Sequence, residues 1–230
     1  CGIQIKYASY ETNHWNGIFS SDSEYLGLIN LARVKQISPV EQFDLNEHLS
    51  KIERDKLEAI EAEIKNYKKV YGLIDFTDMI QKFLDKEVTP NFDVIFIDEA
   101  QDLSLIQWSM INKIEKDTGC DVWVAGDDDQ AIFGWAGADV NSFISYDSKE
   151  IPLTKSERVP SSIQEIALNV INRIEENRID KEYFSKSESG QIYKKYKLSD
   201  IDMSQGDWLI LGRTKSILKS VPTYLKKKGY

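Results

Sequence analysis

The sequence predicts an α/β fold built on a parallel sheet, and three observations carry that prediction. The apolar run Val94-Ile95-Phe96-Ile97 ends abruptly in Asp98-Glu99. A second run, Cys120 to Ala125, ends in Gly126-Asp127-Asp128-Asp129-Gln130. Between them lies a segment in which Ile106, Met110, Ile111 and Ile114 recur at helical spacing. A strand–helix–strand unit brings both run-ends to the same edge of one sheet. Ligands of open α/β sheets gather at that carboxyl edge. The first run reads as a strand buried on both faces, with acids where it emerges.

Residues 1 to about 40 are aromatic and Ser-rich without a clean period: Tyr7, Tyr10, His14, Trp15, Phe19 and Tyr25. Packing is the simpler role for these rings, and base stacking is the alternative. Ser20 to Ser23 reads as a cap before a helix from Glu24 to Val34. The next prediction is a long helix from Asp44 to Val70, with Leu45, Leu49, Ile52, Ile60, Ile64 and Tyr67 on one face. Gly72 ends it. Asp75 can cap a further helix that turns Phe76, Met79, Ile80 and Phe83 inward. Pro90-Asn91 closes that segment. Ser104 can cap the helix after the first strand, and Thr118-Gly119 stops it.

Beyond the second strand, Ala131 to Asp139 is a glycine-punctuated loop holding Phe133 and Trp135. Asn141 to Lys149 reads as a connection and a domain boundary. Pro160 opens a helix with Ile163, Ile166, Ala167, Val170, Ile171 and Ile174 on one face. Gln191 to Leu198 and Asp207 to Leu211 read as strands, and Lys215 to Lys228 as a helix.

The 230 residues, 41% of them hydrophobic, suit one large or two small domains. No apolar run is long enough to span a bilayer. Cys1 and Cys120 do not make a disulfide framework, so a reducing cytoplasm is the expected setting. His14 and His48 are too isolated to mark a metal site. A net charge of −9 excludes a chain covered in basic surface. Cations that meet nucleic acid are then local, or lie in parts of the protein outside this chain.

An Asp-Glu pair after an apolar run is also what an ordinary solvated turn looks like. Gln101 and Asp102 extend the pair to DEAQD, and the second run ends in polar groups too. Asp98-Glu99-Ala100-Gln101-Asp102 followed by Gly126 to Ala138, GDDDQAIFGWAGA, resembles motifs II and III of the UvrD/Rep-like superfamily 1 DNA helicases. Leu153 to Arg158 followed by Pro160-Ser161-Ser162-Ile163 resembles their motif IV. Ile74-Asp75-Phe76-Thr77-Asp78 is similar to a shorter signature upstream of motif II, and Trp208 to Thr214 to a strand of the second motor domain. The resemblance runs from about Gly72 to the end of the sequence.

The resemblance implies a RecA-like parallel-sheet motor domain, incomplete, with a helical insertion over 1–72. Motifs II and III fall in 73–147, and 148–230 begins a second RecA-like domain. It implies ATP and Mg²⁺ as cofactors, single-stranded and duplex DNA as partners, no membrane association, and accessory proteins of replication or repair. Asp98 resembles the residue that holds Mg²⁺ through its water shell, and Glu99 the general base. Gln101 resembles a coupling residue, and Asp127 matches the family Gly-Asp step. Gln130 resembles the γ-phosphate sensor and Arg158 an arginine finger from the second domain. Phe133, Trp135 and Arg213 fall at DNA-facing positions. Asp128 and Asp129 gain no role and read as solvated.

Three positions depart from the pattern: Ala136 stands where the family has Arg, Glu157 where it has an aromatic, and Lys215 where many relatives have Asn. The sequence contains no GxxxxGK[ST] phosphate loop, whose amides and Lys hold the β- and γ-phosphates. The expectation is an internal piece of a longer helicase, inactive alone. A non-catalytic, helicase-derived interaction module and the helicase part of a helicase–nuclease share the same motifs.

Overall fold

The computed structural model describes residues 21–46, 52–176 and 178–229. Tyr7, Tyr10, His14, Trp15, Phe19, His48 and Leu49 lie outside the described residues. The chain divides into two units, one over Tyr25–Gln191 and one built on Ile192–Tyr230.

In the first unit, strand β1 (Val94–Ile97) pairs in parallel with β2 (Asp121–Val124), in unbroken register from Val94 opposite Asp121 to Ile97 opposite Val124. Helix α5 (Leu105–Thr118) connects them. Its start is fixed by Gln107, whose Oε1 accepts from both the N–H and the hydroxyl of Ser104. Its end is fixed by Gly119 in the left-handed conformation, φ 67°. Ala100, Trp108 and Ile111 form the buried core behind the pair, with Ile97, Leu103, Val122, Val124 and Phe143 packed against them.

The sequence placed β1 as buried on both faces, and that is corrected. Exposure alternates along both strands, and Phe96 is 78% exposed. Core residues cover one face of the pair. On the other, Phe96 and Trp123 pack on each other, ring centroids 6.4 Å apart.

Before the sheet come α1 (Ser21–Val34), α2 (Pro39–Asp44), α3 (Arg54–Tyr71) and α4 (Phe76–Leu84). Leu28, Ile29, Ile52 and Leu57 make a second core among the first three. The predicted helix from Asp44 does not form as one piece. Leu45 caps α2, is exposed, and α3 begins only after Glu53. Pro39, fitting the first turn of a helix, starts a separate short segment that helical periodicity alone ran into the next. Tyr67 is exposed near the end of α3. Gly72 ends α3 in the left-handed conformation, as expected.

Asp75 and Asp78 cap α4 reciprocally. Arg33 of α1 donates to Asp75 at 2.7 and 3.0 Å and to Asp78, and Lys68 of α3 donates to both. Burial pushes the Asp75 carboxyl up, but the bonds from Arg33 and Lys68 outweigh it and hold the group well below the usual carboxylate range. The apolar set of α4 divides: Ile80 and Phe83, predicted inward, are half-buried. Phe76, predicted inward, is 86% exposed, and Met79 is exposed too.

After β2, α6 (Val140–Ile144) forms inside the segment read as a connection, capped by Asp139. Strand β3 (Lys155–Pro160) pairs in parallel with β4 (Phe184–Lys186), with an irregular register between Lys155 opposite Phe184 and Pro160 opposite Lys186. Neither strand was predicted, because both are too polar to alternate. Helix α7 (Ser161–Ile171) follows Pro160 as expected. Its apolar residues Ile163, Ile166 and Val170 are exposed, and Gln164 is the buried one.

In the second unit, the strands predicted over 191–198 and 207–211 are absent: no ladder partner meets either segment among the described residues. The helix predicted over 215–228 is two, α8 (Lys215–Leu218) and α9 (Val221–Lys228). Pro222 lacks the amide a continuous helix would need and sits instead in the first turn of α9. No helix among the described residues is long and apolar enough to cross a membrane.

Candidate functional site

The carboxyl edge of β1–β2 gathers the predicted residues of the first unit. Asp98 and Glu99 leave β1 exposed. The Glu99 N–H donates to Asp98 Oδ1 at 3.0 Å. Glu99 adopts φ 52°, left-handed backbone that a non-glycine residue rarely takes. Gln101, 2% exposed, bridges the two strand ends. Its Nε2 donates to Glu99 Oε2 at 2.8 Å and its Oε1 accepts from the Asp127 N–H at 2.9 Å. Gly126 makes room for that bridge. A Cβ there would stand 2.7 Å from Gln101 Oε1 and 2.9 Å from Phe143 Cζ.

Asp127 also accepts from Gln130 Nε2 at 2.6 Å. Burial pushes its carboxyl up, but Gln130 and Lys181 outweigh that and hold it below its ordinary value. The Asp102 carboxyl, three residues beyond Glu99, is pushed up by burial and by the Glu99 charge. So Glu99, Gln101, Asp127 and Gln130 are brought into one hydrogen-bonded network.

Asp128 and Asp129 are not solvated, which corrects the sequence reading. Their side chains are 2% exposed and bound from a distant segment. Arg178 Nε donates to Asp129 at 2.6 Å, the Ile179 N–H to Asp128 at 2.6 Å and the Tyr183 hydroxyl to Asp129 at 2.7 Å. Lys181 donates to Asp127 at 2.9 Å and to Asp128. Burial lowers the Lys181 ammonium, but Asp128 and Asp127 raise it far above its ordinary value. Burial and then Asp129 raise Tyr183. Sequence reasoning missed all three residues. In Asn177-Arg178-Ile179-Asp180-Lys181-Glu182-Tyr183, mixed charges carry no trace of partners some 50 residues away.

Phe133 and Trp135 stand in the loop beyond Gln130, ring centroids 6.2 Å apart, and Trp135 is 52% exposed. Phe133 and Ala136 line a shallow pocket of about 220 Å³ with Phe76, Ile80, Asp102 and Ile106. Arg158 lies exposed on β3. Among the described residues, no ion pair or hydrogen bond holds its guanidinium. Glu157, where an aromatic was expected, pairs with Lys155 on the surface. Arg213 is exposed in the second unit. There, nine Lys and Arg stand against three Asp over 192–230, a local positive surplus inside a chain of −9.

Among the described residues no group of three or more His, Cys, Asp or Glu is arranged to hold a metal. Mg²⁺ is commonly held by one or two carboxylates together with waters and phosphates, and the exposed Asp98 carboxylate suits that donor set.

The UvrD/REP helicase N-terminal domain family matches residues 5–152, and the chain belongs to it. The match starts well before Gly72 and stops short of β3. DNA helicase II of Escherichia coli (strain K12) is 30% identical over 142 residues, covering 54% of this chain and 19% of that protein. ATP-dependent DNA helicase PcrA of Leuconostoc citreum is 26% identical over 202 residues, covering 74% of this chain and 26% of the relative. A probable DNA helicase II homolog of Rickettsia felis is 35% identical over 108 residues, covering 44% and 16%. The chain thus spans between 16% and 26% of the length of these three relatives.

Proposed function

We propose that this chain is part of an ATP-driven DNA helicase that couples hydrolysis to movement along single-stranded DNA and to duplex unwinding. The supporting observation is the Gln101 bridge. One buried amide ties the carboxylate of Glu99 to the loop that carries Gln130. On this reading 73–147 belongs to a first RecA-like domain, 148–230 begins a second, and 1–72 is a helical insertion.

Asp98 would help to hold Mg²⁺, and Glu99 takes a proton from the attacking water. Mg²⁺ supplies charge neutralisation on the phosphates when ATP is bound. Gln130 suits a phosphate contact because its amide donates and accepts. Arg158 pairs with phosphate oxygens as charge spreads in the transition state. Phe133 and Trp135 stack on bases, a contact indifferent to sequence. A shift at Gln130 moves Trp135 five residues along the same loop, a physical route from hydrolysis to translocation.

The test is phosphate release by the full-length protein with Mg²⁺ and single-stranded DNA. Glu99→Gln should abolish DNA-stimulated turnover while nucleotide binding survives. Wild-type turnover in that variant overturns the reading. This chain alone, which contains no phosphate loop, should release no phosphate.

A further inference from the structure

Three consecutive carboxylates repel one another, and nothing in phosphate recognition calls for three. Asp127, Asp128 and Asp129 are nonetheless kept together, the last two buried. Two cations, one phenol and one backbone N–H supply the donors that make this tolerable. All come from the short segment between α7 and β4.

We propose that Arg178, Lys181 and Tyr183 form a clasp that positions Gln130, so that chemistry at the β1–β2 edge depends on the strand pair bearing Arg158. The proposal rests on the site reading given above. Two observations carry it. First, Lys181 and Gln130 donate to the two oxygens of one carboxylate: Lys181 to Asp127 Oδ1 at 2.9 Å and Gln130 to Oδ2 at 2.6 Å. The ammonium fixes the carboxylate plane, and the plane fixes the amide. Remove the ammonium and Asp127 Oδ1 keeps only the longer bonds from the Asp129 N–H at 3.2 Å and the Tyr183 hydroxyl at 3.3 Å, so the carboxylate, and Gln130 with it, is held less firmly. Second, Tyr183 is followed directly by Phe184, the first residue of β4. The Phe184 N–H donates to Thr154 O at 2.8 Å, and Phe184 stands opposite Lys155, three residues before Arg158. A displacement of β3–β4 is therefore transmitted to the Gln130 loop through charged bonds, and the reverse. Lys181 and Tyr183 are positioning residues here; they touch the loop and not the reacting atoms.

The test uses the full-length protein and its DNA-stimulated ATP hydrolysis. Lys181→Met should lower kcat by about tenfold or more while KM for ATP moves less than about threefold. Lys181→Arg, which keeps the charge, should restore most of the rate. Tyr183→Phe should show a smaller fall of the same kind. Because Lys181 acts through Gln130, Lys181→Met combined with Gln130→Ala should be no slower than Gln130→Ala alone. Additive losses in the double variant overturn the clasp. So does a loss shared by kcat, nucleotide affinity and Tm without rescue by Lys181→Arg. Glu99→Gln is measured alongside. If Glu99→Gln is inactive and Lys181→Met is silent, the clasp alone fails. If Glu99→Gln keeps wild-type turnover, the site reading fails and the clasp with it.

Discussion

Strands β1–β2 and β3–β4 are both two-stranded parallel pairs, but only the first keeps an unbroken register. At its carboxyl edge nearly every polar side chain already has a partner: Glu99 through Gln101, and Asp127 through Gln130 and Lys181. In β3, five steps from Lys155 to Pro160 face two from Phe184 to Lys186, and Arg158 stands without an ion pair among the described residues. Preorganised groups act without reorganisation at the moment of reaction. A lone exposed guanidinium acts only when something charged is brought to it. The first edge is set by the chain's own bonds, and the second has a residue still to be engaged.

The sharpest way to break this contrast is Arg158→Ala in the full-length protein. Arginine fingers contribute about 10³–10⁵ in rate in related phosphoryl-transfer systems. DNA-stimulated turnover should collapse while nucleotide binding weakens far less. Near-normal turnover would place Arg158 among ordinary surface cations. Next comes Gly126→Ala, which drives a Cβ against Gln101 and Phe143 and should cost about 1–3 kcal/mol as overpacking. A melting curve of this chain measures it. An unchanged Tm would mean the bridge is not held tightly. Trp135→Ala tests how far the first edge reaches. Stacking is worth roughly 1–3 kcal/mol per base, so single-strand affinity at fixed salt should fall about tenfold or more. A strong fall in Tm with all activities depressed together would make the ring a packing residue instead.

The smallest effect is set by Asp75, away from both edges. Its folded carboxyl titrates below the ordinary value of about 3.9. Its contribution is therefore present above about pH 4 and lost as pH falls through the depressed folded value. The Tm gap between wild type and Asp75→Asn should narrow as pH drops from 5 to 2. The half-exposed setting screens the charges and keeps the gap small. A gap that widens in acid would contradict the assigned bonds.

What was legible in the sequence was local. Val94–Ile97 and Asp121–Val124 announce themselves by apolar runs, and the caps Gly72, Asp75 and Gly119 by residue type. The network at the first edge was half legible: each member was named, but not that Gln101 joins them. What escaped was set by partners far along the chain. Phe76 is exposed on a helix whose start Arg33 and Lys68 hold, and Asp128 is buried where Lys181 and the Ile179 N–H reach it. Strands β3 and β4 escaped because Lys, Ser and Glu dominate them, leaving no alternation to read.

The backbone at Glu99 has a consequence for anyone evolving this protein. A left-handed φ at a residue with a Cβ costs on the order of 1 kcal/mol, and Gly or Asn would carry it more cheaply. Glu99→Gly would relieve that strain but would also strip the buried Gln101 Nε2 of its acceptor, at about 1–3 kcal/mol. The bond that the carboxylate accepts thus offsets the backbone cost, and a library selected for heat resistance alone would gain little by discarding it.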